Sequence, residues 1–176
     1  MFLLRTLLAA SVALPALAAH ASMNKTLVRL PPISIPAGTA SRTIEVDVHE
    51  VRSELLAAAK DRSRDLVLDL EQIEADRNPE VFFEISVGVP KGPSRSVGNL
   101  ALYGVGIRSE ARGQFLPAHI QLVITDALSA ALRKSSTVEI SFVAQGAGGS
   151  ATPARSVSAV RVGNPSIFIA PRTRSN

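Results

Sequence analysis

At 176 residues and a formal charge of +4, the chain has room for one ordinary domain and can bury about 70% of its unfolded surface. Apolar residues make up 46% of it but aromatics only 4%, so Val, Leu, Ile and Ala must fill the core. The absence of cysteine excludes disulfides, thiolate metal sites, a cysteine nucleophile and a lipid-bearing cysteine, and the Arg and Lys are scattered among acids such as Glu45, Asp47, Glu54 and Asp65, which gives no nucleic-acid-binding stripe.

Residues 1–21 read as a secretory signal. Arg5 precedes an apolar run that ends in the small-residue pattern Ala19-His20-Ala21, with cleavage expected after Ala21 and Ala18 as the alternative. The run is shorter than the roughly 20 residues of a membrane-spanning helix and is broken by Pro15. A periplasmic or secreted protein is therefore expected, with no membrane association after cleavage. Residues 22–42, rich in Pro31, Pro32, Pro36 and Gly38, read as an N-terminal edge strand or linker, 43–170 as a β-sandwich domain and 171–176 as a tail.

From residue 43 onward, short alternating stretches are bounded by Gly, Pro, Asn or Asp, the pattern of many short strands. Ile44, Val46 and Val48 face a core, with Glu45, Asp47 and His49 outward. Val51, Leu55, Ala58 and Ala59 permit a helical turn. Leu66, Leu68 and Leu70 form the next core face, and a switch of phase at Ile73 signals a bulge or the strand's end. Asp76-Arg77-Asn78-Pro79 makes a turn.

The strongest strand follows, with Val81, Phe83, Ile85, Val87 and Val89 on one face and Phe82, Glu84 and Ser86 on the other; Pro90-Lys91-Gly92-Pro93 ends it. Strands are predicted over 97–107 and 119–124, then a helix over 126–134. Thr125 is placed to cap that helix, Leu128 and Leu132 share a face, and Arg133 and Lys134 complement its negative end. Val138, Ile140 and Phe142 make another strand, ended by the glycine-rich 146–150 loop, and two strands over 157–162 and 167–169 close the domain. Seven or eight strands at hairpin-like spacing, with too few helices for parallel crossovers, predict an antiparallel two-sheet β-sandwich, jelly-roll-like, with one or two short helices.

The side chains offer little chemistry. Outside the signal, the histidines are His49 and His119; both are expected to face solvent, and a metal pair would have to recruit carboxylates such as Asp47 or Glu50. Glu45 with Asp47 and Asp69 with Glu71 mark the solvent faces of two strands. No G-x-S-x-G elbow occurs, and Gly104-Val105-Gly106 lacks the third glycine and following helix of a dinucleotide site. No catalytic residue, cofactor or metal ligand set is expected. Tyr103, the only tyrosine, is open to either solvent or a second layer. Phe82 stands among polar neighbours, so either a helix or a partner must cover it.

The order of segments carries more. Leu66-Val67-Leu68-Asp69-Leu70 through Phe82-Phe83-Glu84-Ile85-Ser86-Val87-Gly88-Val89-Pro90, then Ser96-Val97-Gly98-Asn99-Leu100-Ala101-Leu102-Tyr103-Gly104-Val105-Gly106, followed by residues 120–132, 137–143 and 157–163 in the same order, resembles the C-terminal domain of tyrosinases and polyphenol oxidases over most of residues 43–163. The resemblance implies a β-sandwich that packs on a helical catalytic domain and covers its type-3 copper pair, which six histidines hold. With three histidines in the sequence, one of them in the signal, and an export signal where the catalytic domain would be, the enzymatic half is expected to be absent and no copper-ligand role carries over. The family's blocking side chain matches no position here; Phe82, Tyr103 and Phe115 are the candidates for partner-facing residues. The function expected is an exported, non-catalytic module that docks on, and shields or stabilises, a separately encoded type-3 copper oxidase. The alternatives are a free-standing periplasmic binding module, or a protein tied to catechol oxidase activity by family association alone.

Overall fold

The computed structural model describes residues 25–75, 81–101, 108–109, 114–115, 118–146, 157 and 159–172. In chain order these form β1 (Lys25–Arg29), β2 (Ile33–Ile35), β3 (Ser41–Asp47), a 3₁₀ turn (His49–Val51), α1 (Arg52–Lys60), β4 (Arg64–Ala75), β5 (Phe82–Gly88), β6 (Ser94–Ala101), β7 (Arg108–Ser109), β8 (Gln114–Phe115), β9 (Ala118–Val123), α2 (Thr125–Leu132), β10 (Thr137–Gln145) and β11 (Val160–Pro171). The signal at 1–21, the turn at 76–79, Tyr103, Gly104, Gly106 and most of the 146–150 loop lie outside the described residues.

Two antiparallel sheets make up the body. One runs β1-β11-β4-β9, with β2 also paired to β11, and the other runs β3-β10-β5-β6; β7 and β8 pair separately. A single core cluster joins them, drawing Leu66, Leu68, Leu70 and Ile167 from the first sheet and Phe83, Ile85, Ile140 and Phe142 from the second. The alternation expected of β5 is present: Phe83, Ile85 and Val87 are buried while Phe82, Glu84 and Ser86 are half-buried on the other face. Each fully buried side chain of this size contributes about 1.5–3 kcal/mol, so the aliphatic core carries the fold.

Both helices close the core rather than cover a sheet's outer face, since Leu55 of α1 and Leu128 and Leu132 of α2 belong to the cluster that contains Phe83. Arg52 donates from Nε and Nη2 to the Leu132 carbonyl at 2.9 and 2.7 Å, so the start of α1 satisfies a C-terminal carbonyl of α2. After α1, Asp61 accepts from the hydroxyl and the backbone N–H of Ser63. Those bonds, helped by Arg64, hold its carboxyl below the usual carboxylate range.

Three details differ from the sequence reading. Thr125 does not cap α2: it is the helix's first residue, and its hydroxyl accepts from Leu66 N–H at 2.9 Å and donates to Asp65 Oδ1 at 3.2 Å, tying the helix to β4 instead. Residues 157–162 and 167–169 do not form two strands, because β11 runs unbroken through Pro165. The Pro165 carbonyl accepts from Leu30 N–H at 2.9 Å, and the N–H and C=O of a strand residue point the same way, so the donor that proline lacks faces the crossing from β1 to β2 and costs no bond to β4. Eleven strands appear among the described residues rather than seven or eight. Residues 25–35, read as edge strand or linker, supply two of them, both on β11.

Candidate functional site

The outer face of the five-stranded sheet carries a polar array built from three neighbouring strands. Asp69 and Glu71 on β4 lie opposite Ser166 and Asn164 on β11. On the other side Asp69 pairs with Gln121 of β9, and the next pairings are Leu70 with Ile120 and then Ile73 with Ala118, so Glu71 and Gln72 together oppose His119. This is a β-bulge, the one signalled by the phase switch at Ile73, although the strand continues to Ala75. Gln72 takes the left-handed backbone the bulge requires, at φ 53°. Because β11 keeps register past the bulge, Gly163 falls opposite Gln72, where a Cβ would come within 2.5 Å of Gln72 Oε1 and 3.0 Å of its Cβ. Glycine there makes room for the bulged side chain.

The β4–β9 pairing brings separated groups together. His119 Nε2 lies 2.5 Å from Asp69 Oδ1, an N–H donating to a carboxylate, between residues 50 positions apart. The ligand atoms of Asp69, Glu71 and His119 all lie within 4.8 Å of one another. Asp69 is 8% exposed, so it does not sit on an open solvent face as its spacing with Glu71 suggests; the His119 side chain is half exposed and Glu71 is exposed. Asp69 and Glu71 line a cleft of about 380 Å³, whose other walls include Asn164, Ser166, and Thr26 and Arg29 of β1. The arrangement can hold a proton between carboxylate and imidazole or present three donors to a cation.

One strand turn away on the same face, Val67 and Phe168 are register partners, buried to 6% and 4% exposure yet outside the core cluster. Val123 opposite Val67 is 59% exposed, which gives an apolar row beside the polar array. Neither the row nor the Asp69–His119 pair was among the residues singled out from sequence. The run Leu66-Val67-Leu68 with Ile167-Phe168-Ile169, apolar on both strand faces, was the available signal for the row.

The sequence candidates fall elsewhere. His49 is exposed in the 3₁₀ turn, where its N–H donates to Asp47 Oδ1 at 2.9 Å. Phe82 is half-buried at the start of β5, opposite Ala101 of β6 and Gln145 of β10. Phe115 is placed by the backbone of β8 opposite Arg108. Tyr103 lies outside the described residues, so the three are not shown to share a surface.

No family model matches the chain, and no curated protein matches it. Among solved structures, latent apple tyrosinase is similar at 18% identity and a TM-score of 0.42, over 79% of this chain and 27% of that one. A recombinantly expressed latent aurone synthase is similar at 13% identity and a TM-score of 0.46, over 80% of this chain and 26% of that one. Both neighbours are polyphenol oxidases. The chain spans about a quarter of their length.

Proposed function

We propose that the domain is an exported, non-catalytic accessory module that docks on a separately encoded type-3 copper oxidase and shields or stabilises it. The reading is supported by the order of strand motifs, since the segments that resemble the polyphenol oxidase C-terminal domain are β4, β5, β6, β9, α2, β10 and β11 of one sandwich. The observation that carries the docking step is Val123, which stands 59% exposed on the outer face of the five-stranded sheet beside the buried Val67 and Phe168. Three histidines in the whole sequence are too few for a six-histidine copper pair.

Two experiments test it. Tagged protein purified from periplasmic extract is expected to carry a type-3 copper protein identified by mass spectrometry, Val123→Asp is expected to abolish that capture while the melt stays unchanged, and the recovered chain is expected to begin at Ser22. Repeated failure to recover any type-3 copper protein overturns the reading. The purified chain alone, supplied with copper, is expected to show no catechol oxidase turnover; turnover at one copper pair per chain would assign the activity to this domain instead.

A further inference from the structure

We propose that Asp69, Glu71 and His119 form a divalent metal site, and that Zn²⁺ is the ion their donor set fits best. One imidazole nitrogen and two carboxylate oxygens converge within 4.8 Å of one another. Zn²⁺ binds such donors at roughly 2.0–2.2 Å, and three protein donors leave a fourth position open. Closing the gap falls to exposed Glu71 and half-exposed His119, with room to turn, rather than to buried Asp69.

The burial of Asp69 argues for a cation. A carboxylate withdrawn from water is costly unless a positive charge faces it, and among the described residues the one partner in ion-pair range is His119. A metal ion taking one donor atom from each would replace their mutual hydrogen bond. Metal binding also engages Glu71, which shares a face with Asp69 by the alternation of β4 and which makes no ion pair among the described residues. Asp69 and Glu71 also line the 380 Å³ cleft, where Asn164 and Ser166, opposite Glu71 and Asp69, can hydrogen-bond ligating carboxylates or a bound water. An imidazole donor and only two carboxylates suit Zn²⁺ and not Ca²⁺, which takes six to eight oxygens. Arg29, the one cation in the cleft wall, weakens the site without closing it.

The test is calorimetric titration of the chelator-stripped protein with Zn²⁺, together with the visible absorption of the Co²⁺ form. One ion per chain is expected, at a Kd on the order of micromolar. His119→Gln and Asp69→Asn are each expected to weaken binding by about tenfold or more, with loss of the Co²⁺ bands, while His49→Gln leaves both unchanged. Because His119 is half exposed, His119→Gln keeps the experiment decisive even where Asp69→Asn disturbs folding. Saturable binding that survives His119→Gln, or no saturable binding by the wild type, overturns the proposal; in the latter case the pair is an Asp–His hydrogen bond alone.

Discussion

Phe82 and Phe83 are adjacent in sequence yet on opposite faces of β5. Phe83 is fully buried between the sheets, so Phe83→Ala is expected to cost about 3–5 kcal/mol, enough to unfold a marginally stable domain. Phe82 is half-buried outside the core cluster, so Phe82→Ala is expected to cost about 1 kcal/mol or less, and thermal melts of the two variants beside wild type measure the contrast. A large fall in midpoint for Phe82→Ala would place its ring in a packed layer and remove it as a partner-facing residue. At Gly163 the expected effect is coupling: Gly163→Ala forces the Gln72 side chain aside and is expected to destabilise by about 1–3 kcal/mol. Gln72→Gly in the same chain relieves both the clash and the left-handed backbone, so a double-mutant cycle is expected to show strong non-additivity; simple additivity would mean the two residues do not crowd each other.

At the scale of elements, legibility depended on whether one face or two were buried. In β5 a single buried face left a clean two-residue alternation, and its phase could be read directly. In β4 and β11, Val67 and Phe168 are buried on the outer face as well, so the alternation is filled in, and Asp69 could not be recognised as a buried acid from its i, i+2 spacing with Glu71. The gap expected between residues 162 and 167 contains Pro165, and the side to which its missing donor points depends on how β1 and β2 lie along β11. Thr125 read as a cap because a hydroxyl before a helix usually bonds that helix, whereas here the β4 backbone competes for it. The Asp69–His119 pair needed the β4–β9 register; the phase switch at Ile73 left a bulge and the strand's end both open and did not say which strand lies opposite.

For the whole molecule, the order of synthesis and the order of the sheet run against each other. β11, the last strand, lies between β4 on one side and β1 and β2 on the other, and β10 lies between β3 and β5. Most ladders therefore join distant segments, which predicts slow folding for a domain of this size. Removing residues 160–176 is expected to leave no cooperative melt, because β1, β2 and β4 then lose their shared partner; a retained transition would contradict that dependence. The pairing of Lys25 with Ile169 has another consequence. The outgoing end of β11 and the start of β1 are neighbouring antiparallel strands, so a loop of about two to five residues from Pro171 to Lys25 would make an ordinary hairpin of them. A circular permutant so joined and opened between Lys91 and Gly92, at the exposed turn linking β5 to β6, keeps every sheet pairing and is expected to melt within a few degrees of the parent chain.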